Sequence, residues 1–312
     1  MNLSLKQVLL VCVCLFALTG QAIADSLLDA RLAYDAGDYV KAAKLYRPLA
    51  EQGDAKAQAA IGLMYYQGQG VPQDYKEAVK WYRLAAEKGN AYAQNTLGVM
   101  YGNGEVVPQD SKESVKWYRL AAEQGDATAQ FSLGWMYFFG KGVPQDYKET
   151  ERWYRLAANQ GNTDAQTNLG IMYANGQGVP QDYKEAEKWY RLAADQGDAD
   201  AQENLGMMYD MGHGVPQDFK EAAKWIRLAA ENGYATAQTS LGIRYFFGKG
   251  VPQNYVLAHM WESIAAANTP VRKLQQLASS QRDLTVKHMA ADQIAEAQEL
   301  ARKCTANKFK GC

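Results

Sequence analysis

The residues that could carry out catalysis are few and scattered in this 312-residue chain. Its three histidines, His213, His259 and His288, fall in different segments, and no Gly-x-Ser-x-Gly nucleophile motif occurs. A nucleophilic site needs a base within hydrogen-bond reach of the attacking group. Nothing in the spacing favours such a pair, so the sequence predicts no catalytic residue.

Paired carboxylates are the next candidates, since two of them can serve as general acid and base. Asp and Glu recur three residues apart, but always directly after the same tripeptide, at the start of a predicted helix. This placement predicts an Asp-x-x-Glu capping box instead. The pairs are Asp74/Glu77, Asp110/Glu113, Asp146/Glu149, Asp182/Glu185 and Asp218/Glu221.

Cofactor motifs are also missing from the sequence. The recurrent Gly-x-Gly has no preceding strand and lacks the Lys-Ser/Thr of a phosphate-binding loop. The cysteines and histidines are not spaced as metal ligands. We therefore expect no nucleotide, other cofactor or metal.

A 36-residue repeat organises the chain. Val-Pro-Gln recurs six times at this interval, and each copy is followed by a tryptophan. A fixed period of this size is typical of a solenoid, in which stacked helix pairs bury faces that no single pair could bury. The tripeptides are residues 71–73, 107–109, 143–145, 179–181, 215–217 and 251–253, and the tryptophans, predicted to be core residues, are Trp81, Trp117, Trp153, Trp189, Trp225 and Trp261.

Each repeat is predicted to contain two helices. In the first copy these run from about Ala55 to Tyr66 and from Asp74 to about Lys88, with glycines at their ends. Gly62 recurs in the middle of every first helix, where glycine costs roughly 1 kcal/mol relative to alanine. Its recurrence predicts a close approach between helices.

The two ends of the chain depart from the repeat. Residues 25–54 are interpreted as a degenerate capping repeat, residues 55–268 as six full repeats, and residues 269–312 as C-terminal capping helices and a tail. The helices of this last segment are predicted at about Val271–His288 and Ala291–Cys304. Atypical terminal repeats are expected where one face has no neighbouring repeat.

Residues 1–24 have the pattern of a secretory signal peptide. Lys6 precedes an apolar run from Val8 to Leu18, and Ala22-Ile23-Ala24 is a small-x-small cleavage pattern. We expect cleavage after Ala24, a periplasmic or secreted protein, and no membrane-spanning segment in the mature chain, because the run is shorter than the roughly 20 residues that a span needs.

Cys304 and Cys312 would be the cysteines of the mature chain, since Cys12 and Cys14 lie in the signal peptide. An oxidising compartment favours a disulfide between them. The alternative is a pair of free thiols on a frayed tail. The 33 basic and 34 acidic residues nearly balance, which gives no support for nucleic-acid binding.

The repeat pattern Ala-x-Ala-Gln-x-x-Leu-Gly-x-Met-Tyr, followed by Gly-x-Gly-Val-Pro-Gln-Asp-Tyr-Lys-Glu-Ala and Lys-Trp-Tyr-Arg-Leu-Ala-Ala, resembles the Sel1-like repeat, a relative of the tetratricopeptide repeat. The resemblance covers about residues 38–268. It implies an all-α, right-handed superhelical solenoid of antiparallel helix pairs and a role as a protein-interaction scaffold. Some exported members described as β-lactamases have a cysteine pair in every repeat. Residues 38–268 contain no cysteine, so that activity is not carried over.

Comparison among the repeats separates fixed from varying positions. At about 100° per residue, the nearly fixed positions of the first helix cover one arc, and the varying positions cover the opposite arc. First helices line the concave surface of such a solenoid, so the varying arcs predict a groove for a protein or peptide partner. The predicted groove residues are Tyr66, Phe131, Trp135, Phe138, Asp164, Asp200, Glu203 and Asp210.

Trp135 has smaller apolar counterparts in the other repeats, which is consistent with either a half-buried groove floor or a binding anchor. Phe139 and Phe247 are predicted to cover turns, and His213 to be an exposed loop residue. The sequence thus predicts an exported, monomeric interaction scaffold without catalysis. The alternatives are binding of cell-wall peptidoglycan fragments, a hydrolase-like activity such as that of a β-lactamase, and an assembly role for the C-terminal helices.

Overall fold

A computed structural model describes residues 25–312, and the predicted signal peptide lies outside the described residues. These residues form sixteen helices and, within that range, no strand. The predicted all-α class and its repeated helix pairs are confirmed. The chain divides into two compact units, Met1–Asp146 and Tyr147–Cys312.

The N-terminal unit contains seven helices in its described part. Consecutive helices from α2 onward pack against one another. The helices are α1 (residues 25–35), α2 (Tyr39–Glu51), α3 (Ala55–Gln67), α4 (Tyr75–Glu87), α5 (Ala91–Asn103), α6 (Ser111–Glu123) and α7 (Ala127–Phe139).

The C-terminal unit contains nine helices. The last repeat packs on both terminal helices, because α14 contacts α15 and α16. The helices are α8 (Tyr147–Asn159), α9 (Thr163–Asn175), α10 (Tyr183–Asp195), α11 (Ala199–Met211), α12 (Phe219–Glu231), α13 (Ala235–Phe247), α14 (Tyr255–Asn268), α15 (Arg272–Val286) and α16 (Ala291–Ala306). No helix among the described residues is both long and apolar enough to cross a membrane.

Local side chains set where these helices begin and end. At the start of α4, the Asp74 carboxylate accepts from the backbone N–H groups of Lys76 and Glu77 at 2.9 and 3.1 Å. At the end of α3, Gly68 has a φ of 70°, a left-handed conformation that glycine adopts without steric cost. Gln73, from the Val-Pro-Gln tripeptide, then donates to the Tyr66 carbonyl at 2.9 Å and closes the linker.

The predicted capping box is wrong in its second half. The Asp74 backbone N–H donates to the Tyr65 carbonyl at 3.0 Å, because the linker returns the chain to the end of α3. The glutamate is therefore available elsewhere: in the fourth repeat, Glu185 accepts from the Trp189 indole N–H at 2.9 Å. The aspartate caps the helix, whereas in the third and fourth repeats the glutamate accepts from the indole of the buried tryptophan.

The recurrent glycine lies against the second helix of its own repeat. A Cβ placed on Gly98 or on Gly170 would lie 2.5 Å from the ring of Tyr118 or Tyr190, respectively. Such a distance is not tolerated, so the close approach predicted from the glycines is confirmed. It occurs between the backbone of one helix and a side-chain ring of the other.

Two hydrogen bonds recur between successive helices. The buried Gln58 amide donates to the Ala50 carbonyl at 3.0 Å, so that it satisfies an acceptor at the end of α2. Arg47 donates to the Tyr65 hydroxyl at 2.8 Å, across 18 residues. The glutamine bond recurs from Gln94, Gln130, Gln166, Gln202 and Gln238, and the arginine bond from Arg83, Arg119, Arg155, Arg191 and Arg227. All six repeat tryptophans are buried, as predicted.

The C-terminal helices cover the end of the last repeat. Glu262, on α14, takes the position that tyrosine holds in the first four repeats, and its buried carboxyl accepts from the Thr285 hydroxyl of α15 at 2.8 Å. A disulfide joins Cys304 to Cys312. The tail between these cysteines reaches the α12–α13 turn, where the Lys310 ammonium donates to the Asn232 side chain at 2.6 Å.

We expect Gly170→Ala to destabilise the protein by about 1–3 kcal/mol, because the new methyl group overpacks against Tyr190. In an open helix the same change would stabilise by roughly 1 kcal/mol. Gly102→Ala is the matched control, since its Cβ would meet the rotatable Ser114 hydroxyl at 3.2 Å. Urea unfolding measures both variants, and equal effects would contradict the packing role of Gly170.

We also expect stability to depend on pH through Glu262. Burial raises the pKa of this carboxyl from 4.5 to about 7. The folded state therefore holds a proton that the unfolded chain releases, so the stabilisation is complete below pH 4.5 and disappears as pH rises through 7. At about 1.4 kcal/mol per pKa unit, the loss is on the order of 3 kcal/mol.

Glu262→Gln tests this dependence. The buried His259 has a lowered pKa and an opposite pH dependence, but it is present in both proteins and cancels in their difference. Unfolding free energies of wild type and variant, measured at several pH values between about 4.5 and 8, should diverge as pH rises. Parallel curves would exclude Glu262 as the source.

Candidate binding surface

The predicted groove residues Phe131 and Trp135 line a cleft in the N-terminal unit. Both are half-buried on α7, and the opposite wall is formed by the end of α5 and the start of α6. The cleft measures about 580 Å³, within the roughly 300–1,000 Å³ typical of ligand pockets. Its lining residues include Gly102, Ser111, Ser114, Tyr118, Phe131, Ser132, Trp135 and Lys141.

Trp135 is surrounded by groups that fix its indole ring. The Phe139 ring lies 4.7 Å from it between centroids. The Lys141 ammonium lies 4.5 Å from the centre of the indole, within the range of a cation–π interaction. Trp135 is thus a half-buried, oriented residue with a cation beside it.

Hydroxyl groups form the cleft floor. The Ser114 hydroxyl donates to the Gly98 carbonyl at 2.7 Å. Next to it lies the buried Tyr118, which hydrogen-bonds with Ser114 and Ser132 and has a pKa raised by burial. The phenol therefore stays protonated at neutral pH, and the floor offers neutral hydrogen-bonding groups next to aromatic walls.

The other predicted aromatic residues pack locally. Tyr66 is half-buried edge-on against Tyr75, with centroids 5.3 Å apart. Phe138 is half-buried and contacts the Phe139 ring at 4.9 Å. Phe139 and Phe247, expected to cover turns, are instead 53% and 67% exposed.

The predicted acidic residues lie in the C-terminal unit and are largely engaged by the following repeat. Asp164 is exposed. Asp200 accepts a hydrogen bond from the Tyr234 hydroxyl. Glu203 accepts from the Thr236 hydroxyl at 2.6 Å, and burial raises its pKa. The last two carboxylates therefore connect α11 to α13.

Asp210 forms an ion pair inside this unit. Its carboxylate lies 2.7 Å from the Arg244 guanidinium and 3.2 Å from the Lys249 ammonium. Arg244 is only 5% exposed, because it occupies the position where the five preceding repeats bury methionine. Asp210 thus neutralises a buried cation. Its place among the varying positions of the first helix had predicted a groove residue instead.

His213 also differs from its prediction as an exposed loop residue. Its ring is half-buried and stacks on Tyr183, with centroids 4.4 Å apart. All three histidines lie in the C-terminal unit. Among residues 25–312, no three His, Cys, Asp or Glu side chains are grouped so that they could hold a metal ion.

Sequence comparison missed three residues that create the cleft. Gly102 and Ser111 replace the larger Tyr66 and Tyr75 of the first repeat, and Ser114 adds a hydroxyl where the first repeat has Ala78. Each substitution is visible when repeats are aligned. The cleft that they form together is not visible in such an alignment, because the three positions come together only when α5 packs on α6.

Comparison with known proteins identifies the repeat. The family model described as Sel1 repeat matches residues 30–54, 55–90, 91–126, 127–162, 163–198, 199–234 and 235–269. No curated protein matches the chain.

Several solved structures are similar to it. A Sel1 repeat protein from Oxalobacter formigenes is 35% identical over 77% of this chain and 96% of its own length, with a TM-score of 0.70. The protective antigen c5321 of uropathogenic Escherichia coli, which has an SLR fold, is 29% identical over 92% of this chain and 78% of its own, with a TM-score of 0.41. The immunity protein Pa5087 from Pseudomonas aeruginosa is 22% identical over 74% and 81%, with a TM-score of 0.39.

We expect Asp210→Ala to destabilise the protein by on the order of 3 kcal/mol, because it leaves the buried Arg244 without its closest counter-charge. Adding Arg244→Met, which restores the methionine of the other repeats, should recover most of the loss. Thermal and urea unfolding measure both. If the double variant is as unstable as Asp210→Ala, the ion pair does not explain the effect.

Proposed function

Because this chain belongs to the Sel1 repeat family, we propose that it is an exported scaffold that binds a polypeptide partner along the first helices of its repeats. Sel1 repeat proteins generally mediate protein–protein interactions. The finer proposal is that the cleft beside Trp135 contributes the main contact.

The aromatic cluster on α7 carries this proposal. Phe131 and Trp135 line the cleft, and Phe139 packs on Trp135 while more than half of its own surface faces solvent. Large aromatic residues in partly enclosed surroundings most often dominate binding energy at protein interfaces. An extended or helical segment of a partner, laid along α7, would cover them.

The acidic residues of the C-terminal unit contribute less to the proposed interface. Asp210 neutralises Arg244, and Glu203 is bonded to Thr236. A partner that removed them from these contacts would leave buried polar groups unsatisfied. Asp164 and Asp200 are both exposed, but the Asp200 carboxylate is already bonded to the Tyr234 hydroxyl.

The proposal assigns the protein no reaction. The hydroxyl groups of the cleft belong to Ser111, Ser114, Ser132 and Tyr118, and no histidine occurs in the N-terminal unit to act as their base. The raised pKa of Tyr118 also disfavours its ionised, nucleophilic form. Affinity would come from shape and hydrogen bonding.

Export is part of the same proposal. It is supported by the apolar run from Val8 to Leu18, by the Ala22-Ile23-Ala24 pattern, and by the Cys304–Cys312 disulfide, a bond that is rare in reducing compartments.

We expect Trp135→Ile to reduce partner binding at least tenfold, because it removes the indole ring from the cleft. The fold should be retained, because isoleucine occupies this position in the fourth and sixth repeats. Phe247→Ala, which removes an exposed ring from the C-terminal unit, is the matched control and should bind like wild type. Affinity capture from a cell-envelope extract, analysed by mass spectrometry, measures the retained polypeptides, and circular dichroism checks the fold.

Two outcomes would contradict the proposed function. Full retention of the partner by Trp135→Ile would remove the cleft from the interface. Sedimentation of the wild-type protein with cell-wall sacculi, with no polypeptide captured, would favour binding of peptidoglycan fragments instead.

A further inference from the structure

Aromatic rings recur at two positions that flank the linkers, at the first position in three of the six repeats and at the second in five. The first is the residue after the conserved tyrosine of the first helix, and the second is the first residue of the next helix. Tyr66 and Tyr75 fill them in the first repeat, and Phe246 and Tyr255 in the sixth, with ring centroids 5.3 and 5.5 Å apart. These paired rings cover the junction between the two helices.

In the fourth, fifth and sixth repeats, the ring at the second position is itself covered by a side chain from the next segment of the chain. His213 stacks on Tyr183 at 4.4 Å, and the Lys249 ammonium lies 4.6 Å from the centre of the Phe219 ring. At the end of the array, His288 stacks on Tyr255 at 5.1 Å. The fold therefore places a cation or an imidazole over a ring three times in succession.

The second repeat departs from this arrangement at both positions. It has Gly102 and Ser111, and Ser111 is the one non-aromatic residue among the six repeats at the second position. Lys141 occupies the same linker position in its repeat as His213 and Lys249. With no ring at residue 111, its ammonium lies over Trp135 instead.

The geometry points to the cleft as a socket for an aromatic side chain of a polypeptide partner. Elsewhere in the chain, the linker side chain covers an aromatic ring at the second position. In the cleft the equivalent linker residue, Lys141, is present, but Ser111 provides no ring for it to cover. Trp135 and Phe131 supply aromatic walls, and the volume of about 580 Å³ exceeds what one side chain needs. A partner's ring would take the place that tyrosine takes in the other repeats.

Charge complementarity favours an aromatic residue over an aliphatic one. The face of an aromatic ring carries negative potential and attracts ammonium groups. Lys141 can therefore lie between the Trp135 ring and an incoming ring, much as Lys249 lies over Phe219. A leucine side chain would fill the space but offer the ammonium no such attraction.

This inference rests on the proposed function, because it specifies which side chain of the polypeptide enters the cleft. The test uses the purified protein and random twelve-residue peptides selected by display. Selected peptides should share an aromatic residue, and replacing that residue with leucine should weaken binding at least tenfold, as measured by calorimetry.

Ser111→Tyr is the decisive variant, because it restores the residue of the first, third, fourth and sixth repeats and supplies the ring internally. We expect it to weaken the selected peptides at least tenfold while the melting temperature stays the same or rises. Ala174→Tyr is the matched control: it adds a tyrosine at the first position of the fourth repeat, next to Tyr183, and should leave affinity unchanged.

The outcomes separate this inference from the proposed function. The selected peptides could bind through Trp135, keep their affinity when their aromatic residue is replaced with leucine, and bind Ser111→Tyr as tightly as wild type. This result would overturn the aromatic socket but leave the scaffold function standing. Failure of every peptide to bind would overturn both. Should Ser111→Tyr be unfolded, Gly102→Tyr, which restores the ring at the first position, is used with the same criteria.

Discussion

The fold depends on the contact between a glycine backbone and a side chain of the following helix. In the first helix of five of the six repeats, the missing Cβ lets the second helix approach until a buried side chain touches the main chain, as at Gly98 with Tyr118 and Gly206 with Ile226. This contact sets the spacing within the helix pair. The buried glutamine of each first helix then bonds to the end of the preceding helix, so that both contacts recur with the 36-residue period.

Because this framework recurs so regularly, the positions it leaves free can change without loss of the helix pairs. The second repeat loses two rings at Gly102 and Ser111 and gains a cleft. The sixth repeat replaces a core methionine with Arg244 and balances it with Asp210. The same repeat has Glu262 where the first four repeats have tyrosine, and the Glu262 carboxyl accepts a hydrogen bond from Thr285 of a terminal helix. Each departure places a polar group or a gap where neighbouring repeats place an apolar side chain.

The periodicity of the sequence was sufficient to predict the helix pairs, their boundaries within a few residues, and the burial of the tryptophans, because these features depend on local signals repeated six times. Pairings between repeats could not be predicted in the same way. Asp210 and Arg244 are 34 positions apart, and neither forms an ion pair within its own repeat. The constant separation of 18 residues between Arg47 and Tyr65, and between their counterparts, was a readable signal for the arginine–tyrosine bonds. The cleft required the packing of α5 on α6 and α7, which no single repeat contains.

The proposed interaction depends on contact between a polypeptide partner and Trp135. The most direct measurement is fluorine NMR of protein labelled with 5-fluorotryptophan, in which the seven tryptophans give separate signals and Trp135→Phe assigns one of them. On addition of a display-selected peptide, we expect the Trp135 signal to shift or broaden, while the signals of the six buried repeat tryptophans change little. A peptide that binds while the Trp135 signal stays unchanged would show that Trp135 lies outside the interface.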